Sequence, residues 1–278
     1  MRWHCCSRTS GRNCGWTPSR SMPDHRGSAA TEGAPLKART DELERIAHTY
    51  HLNDDVPDKF IEDACQEHCC DWLAALVSPQ DVVIELGVGE GITLSRLAAL
   101  PRRYVVVEGA PSLAAQVRDE YPSVEVVEAL FEQHVPDEPC DKLMALHVLE
   151  HVDDPVPLLE HLRTWLAPGG EMVVVVPNRR SLHRRLAVLM GLQPELDTLS
   201  PRDHLVGHQR VYDLPTLEDD LRRAGLEPFA RKGLFFKPLP NAMMLDFSPQ
   251  LVQALNDLGD ELPADLGANI AVRARRTD

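Results

Sequence analysis

Three glycines follow a short, mostly apolar strand, where a ligand could reach the main chain. Residues 82–86 read Val-Val-Ile-Glu-Leu, typical of a buried parallel strand, and residues 92–100 have the apolar spacing of a helix. Gly87, Gly89 and Gly91 lie in the turn between them. Glycine suits a turn that needs positive φ, or one where a ligand must approach backbone N–H groups without a Cβ in the way. The pattern predicts a binding loop for a cofactor that contains a nucleoside.

A carboxylate at the end of the next strand supports this interpretation. Residues 104–107 predict a second strand, which ends at Glu108. There the carboxylate could accept hydrogen bonds from the paired hydroxyls of a ribose, or it could cap the loop before Pro111. The glycine spacing, G-x-G-x-G, differs from the dinucleotide pattern G-x-G-x-x-G. The spacing alone leaves nicotinamide, flavin and S-adenosylmethionine cofactors open.

Four sequence blocks, in order along the chain, are similar to those of one enzyme family. Residues 85–91 resemble the first motif of the class I S-adenosylmethionine-dependent methyltransferases, with Glu85 in place of the commoner Asp. Residues 124–130 resemble the third strand and its acidic end. Residues 146–155, Leu-His-Val-Leu-Glu-His-Val-Asp-Asp-Pro, resemble the segment after the fourth strand in the ubiquinone-biosynthesis-like branch. Residues 166–177 resemble the loop and fifth strand that close the core.

The resemblance implies S-adenosylmethionine as the cofactor and indicates which residues hold it. At Glu128 it implies a side chain near the adenine amino group. The residues that it implies as cofactor-binding are Glu85, Gly87, Gly89, Gly91, Glu108, Gly109, Glu128, Ala129, Leu130 and His147.

Histidines are the candidate catalytic residues, because a hydroxyl acceptor must lose its proton when it is methylated. His147 follows the predicted fourth strand, where the resemblance implies a residue beside the transferred methyl group, and it is the first candidate. His208 lies in a segment that could cover the site, although it and Arg210 could instead anchor that loop. For His151 a structural hydrogen bond is the favoured role.

Two groups of metal-binding residue types occur, but we expect no metal. His147, Glu150 and His151 resemble a metal site proposed for some quinone-biosynthesis relatives. The cysteine-rich segment 65–70 lacks the paired C-x-x-C spacing of structural zinc sites. Residues 56–76 have helical apolar spacing, which predicts a helix with Cys65 and Cys69 towards the core.

Strands and helices alternate along the rest of the chain, which predicts a parallel sheet. We expect an α/β fold: a Rossmann-like, seven-stranded, mostly parallel sheet with helices on both faces. The resemblance adds an antiparallel last strand. Further predicted helices are residues 112–120, 155–166, 214–224 and 249–258, and further predicted strands are residues 141–146, 171–177, 227–236 and 269–275.

The first forty residues differ in composition from the rest of the chain. Residues 1–40 are rich in Gly, Ser, Arg and Pro without periodic apolar positions, so we expect a disordered or non-native N-terminal extension. Residues 41–278 are expected to form one methyltransferase domain. Within it, residues 41–77 are expected to form a helical lid, and residues 179–213, inserted after the fifth strand, a substrate cover.

The charge of the chain argues against a nucleic-acid substrate. The 278 residues carry a formal charge of −14, and residues 1–40 hold seven Lys or Arg against two acidic residues, so the remainder carries −19. Such a surface repels a phosphate backbone. No apolar run reaches the length of a membrane span. We expect a cytoplasmic protein with a small-molecule acceptor and without nucleic-acid or membrane partners; a homodimer stays open.

The leading hypothesis is methyl transfer to a hydroxyl of a small metabolite, such as a sugar, a phenol or a natural product, by in-line displacement. N-methylation of a small amine is the near alternative. Other classes that stay open are an NAD-dependent oxidoreductase and a non-catalytic cofactor-binding regulator. The oxidoreductase lacks a Tyr-x-x-x-Lys signature and leaves residues 146–155 unexplained.

Overall fold

A computed structural model of the chain describes residues 36–52 and 57–277. Most of the expected N-terminal extension, residues 1–35, lies outside the described residues. Helix α1 (Leu36–Ile46) begins before the expected domain boundary at residue 41 and continues into a turn of π-helix at Ala47–His51. Helix α2 spans Lys59–Ala74, and Cys65 and Cys69 are buried, as predicted, while Cys70 is buried as well.

Seven strands form a single mixed sheet. They are β1 (Val82–Leu86), β2 (Arg103–Glu108), β3 (Glu125–Glu128), β4 (Cys140–Leu146), β5 (Leu166–Pro177), β6 (Leu226–Leu234) and β7 (Asn269–Arg276). Their order is β3-β2-β1-β4-β5-β7-β6. Strands β1 to β5 pair in parallel, whereas β7 is antiparallel to both β5 and β6. The predicted fold class is confirmed, and β1 and β4 flank the point where the strand order reverses, which is where open α/β sheets bind ligands.

Helices cover both faces of the sheet. After α2 they are α3 (Ile92–Leu97), α4 (Pro111–Glu120), α5 (Pro155–Arg163), α6 (Leu182–Leu189), α7 (Pro201–Leu205), α8 (Leu214–Arg223) and α9 (Pro249–Gly259). Leu159 of α5 and Leu217 of α8 pack in the core of one face, and Leu73 of α2 and Leu94 of α3 pack in that of the other. No helix in the described ranges is long and apolar enough to cross a membrane.

One predicted boundary was wrong. Residues 155–166 were expected as one helix, but α5 ends at Arg163 and the Leu166–Gly170 segment belongs to β5. The N–H of Cys140 donates to the carbonyl of Trp165 (2.8 Å), so pairing with β4 starts there. A Cβ at Gly170 would lie 2.8 Å from the Cys140 carbonyl oxygen. Gly170 therefore allows the two backbones to approach, which the sequence pattern alone does not indicate.

The insertion after β5 contains α6 and α7. A β-bridge between Asn178 and Tyr212 joins the two ends of the insertion, where the chain returns to the sheet. Asp213 then caps α8 through a hydrogen bond from the N–H of Thr216 (3.0 Å). The insertion thus lies beyond the carboxyl end of β5, on the side of the sheet that carries the glycine loop.

Candidate active site

The glycine loop between β1 and α3 has a backbone conformation that suits glycine. Gly87, Gly89 and Gly91 have φ of +73°, +53° and +74°. The N–H of Gly87 donates to the carbonyl of Val107 (2.9 Å), which ties the loop to β2. A Cβ at Gly87 would lie 3.9 Å from Glu108 Oε2, and one at Gly91 would meet no atom within 4 Å. The loop therefore leaves open space beside Glu108, as a ligand cradle requires.

Glu108 lies at the end of β2 and faces this loop. It is 6% exposed, and its carboxylate accepts hydrogen bonds from the N–H groups of Ala110 (2.7 Å) and Val88 (3.1 Å). Burial raises the pKa of Glu108, and these two N–H groups only partly oppose the shift. The capping role considered from the sequence is thus present. Each oxygen still has a second lone pair, so Glu108 can also accept hydrogen bonds from ribose hydroxyls.

Glu85 lies beneath the loop. Its carboxylate is 2% exposed and accepts hydrogen bonds from Thr93 Oγ1 (2.5 Å) and the Tyr104 hydroxyl (2.8 Å). Burial raises the pKa of Glu85 to about 7, although both hydrogen bonds lower it. Because Glu85 is almost fully buried beneath the loop and is held by Thr93 and Tyr104, we expect it to act on a cofactor by positioning the loop.

Gly109 lies where the N-terminal helix packs on the turn after β2. A Cβ there would be 2.6 Å from Leu43 Cδ1 of α1 and 3.1 Å from Leu130 Cδ2. Leu130 is itself buried. A side chain at position 109 would therefore have to push aside the ends of the Leu43 and Leu130 side chains.

The ends of β2 and β3 lie side by side. Glu108 and Glu128 are in register, and the N–H of Ala129 donates to the Glu108 carbonyl (3.1 Å). Glu128 is exposed and pairs with Arg118 through Oε2 (3.1 Å). The predicted adenine-side residues thus lie next to the predicted ribose-binding carboxylate.

Side chains that the sequence did not single out join the N-terminal segment to the glycine loop. Nδ1 of His51 lies 3.1 Å from Glu90 Oε1, and its ring lies 3.9 Å from the position of a Cβ at Gly89. Gln66 of α2 donates to Glu90 Oε2 (3.5 Å). Contacts between residues so far apart in the chain leave no local pattern, so only the folded structure identifies them.

His147 follows β4 directly, at the same edge of the sheet. It has a φ of +57°, and its Nδ1 lies 3.0 Å from Glu150 Oε1. Its Nε2 lies 3.5 Å from Asn269 Nδ2 at the start of β7. Burial lowers the pKa of His147, but the hydrogen bond and charge of Glu150, with the charges of Glu62 and Glu90, outweigh burial and raise it. The side chain is 34% exposed, so a ligand can reach it.

The other two candidate histidines pack beside the same carboxylate. The rings of His151 and His208 have centroids 4.7 Å apart, and His208 Nε2 lies 4.0 Å from Glu150 Oε1. His208 Nδ1 lies 2.8 Å from Asp203 Oδ1. Burial, together with the charges of His208 and His147, lowers the pKa of His151 to about 4 against the opposing charge of Glu150. His151 therefore stays neutral near neutral pH, and the structural hydrogen bond favoured for it from the sequence stays a prediction.

The potential metal ligands differ from those expected. Glu150, His151 and His208 offer atoms within 4.8 Å of one another, whereas the sequence had grouped His147 with Glu150 and His151. Glu150 is fully buried, and its Oε2 has no hydrogen-bond partner among the described residues. These three residues could hold a metal ion, and our expectation of no metal stays a prediction.

Arg210 and Gln209 anchor the insertion to the turn that carries these residues. The Gln209 N–H donates to the Glu150 carbonyl (2.7 Å). The guanidinium of Arg210 donates to the carbonyls of Leu149, Val152 and Asp153. Arg210 therefore anchors the insertion to the turn after β4, as considered from the sequence, whereas the close contact of His208 is to Asp203 within the insertion.

A comparison with known families decides the assignment. The family model described as a methyltransferase domain matches residues 61–230, more than half of the chain. The chain belongs to the methyltransferase domain family. The predicted place among class I S-adenosylmethionine-dependent methyltransferases, with S-adenosylmethionine as cofactor, is confirmed, which decides against the NAD-dependent oxidoreductase.

Relatives of the methyltransferase agree with this assignment. A "Probable S-adenosylmethionine-dependent methyltransferase" of Mycobacterium tuberculosis is 28% identical over 194 residues, 68% of this chain and 65% of the relative. A "Ubiquinone biosynthesis O-methyltransferase" of Ruegeria pomeroyi is 28% identical over 169 residues, 56% of this chain and 64% of the relative. The chain thus spans a little under two thirds of the length of these curated relatives.

Solved structures show the same fold. A Thermotoga maritima SAM-dependent methyltransferase, described as a possible histamine N-methyltransferase, has a TM-score of 0.58 at 19% identity, covering 84% of this chain and 100% of that chain. A 1,6-didemethyltoxoflavin-N1-methyltransferase of Burkholderia thailandensis, solved with S-adenosylhomocysteine, has a TM-score of 0.54 at 18% identity. The match covers 90% of this chain and 94% of that chain.

In the methyltransferase, the predicted site residues lie at the ends of neighbouring strands. The glycine loop follows β1, Glu108 and Gly109 end β2, Glu128 ends β3 and His147 follows β4. His208 reaches the same region from the insertion through Glu150. The folded chain therefore brings the predicted cofactor and base positions to one edge of the sheet.

Proposed function

We propose that this protein transfers a methyl group from S-adenosylmethionine to a hydroxyl of a small molecule, with His147 as the general base. The observation that carries the proposal is the pairing of a partly exposed His147, beside the glycine loop, with the buried Glu150. The O-methyltransferase named among the relatives supports a hydroxyl acceptor.

The cofactor would lie against the glycine loop. The backbone of Gly87, Gly89 and Gly91 would face it, Glu108 would accept hydrogen bonds from the ribose, and the residues after β3 would contact the adenine side. When bound, S-adenosylmethionine supplies a methyl group activated by a positively charged sulfur. The protein then has to align the two reactants and remove one proton.

Glu150 would make His147 an effective base. Its carboxylate accepts a hydrogen bond from the N–H at Nδ1, which leaves the lone pair on Nε2 to take the proton of an acceptor hydroxyl. The φ of +57° at His147 fixes the direction of this side chain from a turn that Arg210 and Gln209 hold in place. A hydroxyl requires such a base more than a neutral amine does, because the amine can attack before it loses a proton.

His147→Ala tests this proposal. We expect kcat to fall by about 100-fold or more, the range of general-base catalysis, while the affinity for S-adenosylhomocysteine stays unchanged. Transfer of labelled methyl groups to a panel of hydroxyl and amine acceptors measures kcat, and calorimetry measures affinity.

His204→Ala is the matched control, since His204 is exposed on α7. An unchanged rate in His147→Ala, together with a lost rate in His208→Ala, would move the base to the insertion. Methylation of amines only would decide for the N-methyltransferase alternative, and binding without turnover on any acceptor for the regulator.

A further inference from the structure

The face of α2 that carries Glu62 lies between the glycine loop and His147. Cys65, one helical turn after Glu62, contacts Asn269 through its Sγ (3.7 Å), and Asn269 in turn contacts His147 Nε2 (3.5 Å). Gln66, four residues after Glu62, reaches Glu90 of the glycine loop. Residues three and four apart share one face of a helix, so the face that carries Glu62 also carries these two contacts. An acceptor bound against this face would lie near both the glycine loop and His147.

Glu62 lies in a polar cluster with two residues that follow β6. Its Oε1 accepts a hydrogen bond from Asn241 Nδ2 (2.6 Å) and lies 3.7 Å from Lys237 Nζ. Burial raises the pKa of Glu62, but Lys237, Arg202 and Asn241 outweigh burial and lower it. Asn241 Nδ2 also donates to Asp58 Oδ2 (2.8 Å), and Asp58 pairs with Arg202. The cluster therefore contains carboxylates and cations together in one half-buried place.

Several groups of the cluster keep unused hydrogen-bonding capacity. Asn241 is 8% exposed, and its Oδ1 has no hydrogen-bond partner among the described residues. Glu62 Oε2 accepts no hydrogen bond from any residue that the structure describes. Lys237 Nζ meets Glu62 only at ion-pair distance. His183 adds a buried Nδ1 without a hydrogen-bond partner among the described residues. Burial and the charge of Lys237 lower the pKa of His183 well below its ordinary value. The cluster thus has both a hydrogen-bond donor and hydrogen-bond acceptors that a ligand could satisfy.

The chemistry of the cluster selects among acceptor classes. An ammonium group would meet the like charge of Lys237, and a carboxylate or phosphate would meet that of Glu62. An apolar aromatic ring would remove both groups from water and return no hydrogen bonds. Neutral hydroxyls satisfy both, because a hydroxyl donates to a carboxylate and accepts from an ammonium.

We propose that Glu62, Asn241 and Lys237 form an acceptor subsite for a neutral, polyhydroxylated molecule such as a sugar ring. This inference rests on the proposed function. The hydroxyl next to His147 forms the new bond between its oxygen and the methyl carbon, the sulfur–methyl bond breaks with its electron pair on sulfur, and the hydroxyl proton moves to His147 Nε2.

The test compares matched acceptors with labelled methyl donor and wild-type protein. Methyl glucoside, methyl mannoside and methyl rhamnoside present neutral hydroxyls, methyl glucuronide adds an anion, and glucosamine adds a cation. The comparison phenol is p-cresol, which has one hydroxyl to methylate and an otherwise apolar ring. We expect methylation of at least one neutral glycoside, with less on the charged sugars and least on p-cresol. Methylation of p-cresol or a charged sugar without any neutral glycoside would overturn the inference, as would no methylation of any acceptor.

Two variants test the residues themselves. Glu62→Gln and Lys237→Met should each raise KM for the methylated glycoside by about tenfold, the effect of one charged hydrogen bond, with little change in kcat. Glu62→Gln should shift preference towards methyl glucuronide, and Lys237→Met towards glucosamine. Lys232→Met is the matched control, because Lys232 pairs with Asp260 away from His147 and should change neither value.

Binding of S-adenosylhomocysteine separates this inference from the proposed function. If every variant binds it like wild type and KM for the glycoside is unchanged, the subsite is wrong and the proposed function stands. If wild type does not bind it, the proposed function itself fails.

Discussion

Gly87 is fixed as glycine by its backbone conformation rather than by crowding. Its φ is +73°, and the nearest atom to an added Cβ is 3.9 Å away. A β-branched residue is strongly disfavoured at such a φ. We expect Gly87→Val to weaken S-adenosylhomocysteine binding by about 100-fold or more, since strain of roughly 1–3 kcal/mol adds to a side chain in the path of the ligand. Calorimetric titration measures the change.

Gly191 offers a matched control for this variant. It has a φ of +71° in the insertion, and an added Cβ would meet nothing within 4 Å. Gly191→Val should therefore cost similar stability in denaturant unfolding but leave the affinity for S-adenosylhomocysteine unchanged. Equal losses of affinity in both variants would assign the effect to general destabilisation.

The pH dependence of the reaction follows from His147 and its partner. The pKa of His147 is raised because Glu150 and more distant carboxylates outweigh burial. A base acts only when it is neutral, so kcat/KM should be low below this raised pKa and rise through it to a plateau. Glu150→Gln removes the charge but keeps an acceptor, so the inflection should move to lower pH. An inflection that stays in place would contradict the pairing.

At the scale of the elements, a buried ion pair joins the two helices of the insertion after β5 to each other. Arg184 of α6 lies 2.9 Å from Asp203 of α7, with side chains 9% and 10% exposed. Burial raises the pKa of Asp203, but His208, Arg184 and Ser200 outweigh it and hold the pKa well below its ordinary value. Asp203→Asn leaves Arg184 buried without its partner, so the free energy of unfolding should fall by about 3 kcal/mol at neutral pH.

The pH dependence of this loss has a definite sign. A carboxylate with a lowered pKa contributes its full stability above its unfolded pKa of about 3.9, and loses it as pH falls towards the folded pKa. The difference between Asp203→Asn and wild type in urea unfolding should therefore be largest near neutral pH and shrink below about pH 4. Asp219→Asn, on the exposed side of α8, should change stability by less than about 0.5 kcal/mol. Equal effects of the two variants would contradict the role of the ion pair.

The elements also show which features a sequence can predict. β1, the glycine loop and helices α4, α5, α8 and α9, each with Pro near its start, follow from local patterns, whereas α6 and α7 were not predicted. The end of α5 could not be predicted from a local pattern, because the Leu166–Gly170 segment pairs with β4 only once both strands are in place. His51 and Asp203 were missed as site or anchor residues for the same reason: their partners Glu90 and Arg184 are brought to them by the fold.

At the scale of the whole molecule, the strand order explains why residues far apart in sequence form one site. Strands β3, β2, β1 and β4 are neighbours, and their carboxyl ends carry Glu128, Glu108, the glycine loop and His147. The N-terminal segment and α2 contact the glycine loop at this edge through His51 and Gln66, which both meet Glu90. The charge of −14 favours acceptors other than nucleic acid.

The most direct test is a calorimetric titration of the full chain with S-adenosylhomocysteine, with NAD as the comparison ligand and Glu108→Ala as the comparison protein. We predict saturable binding of S-adenosylhomocysteine at one site per chain, no heat with NAD, and at least about tenfold weaker binding in Glu108→Ala, since a charged hydrogen-bond partner of the ribose is lost. No binding of S-adenosylhomocysteine by the wild-type protein would contradict the assignment of the loop at Gly87 and of Glu108.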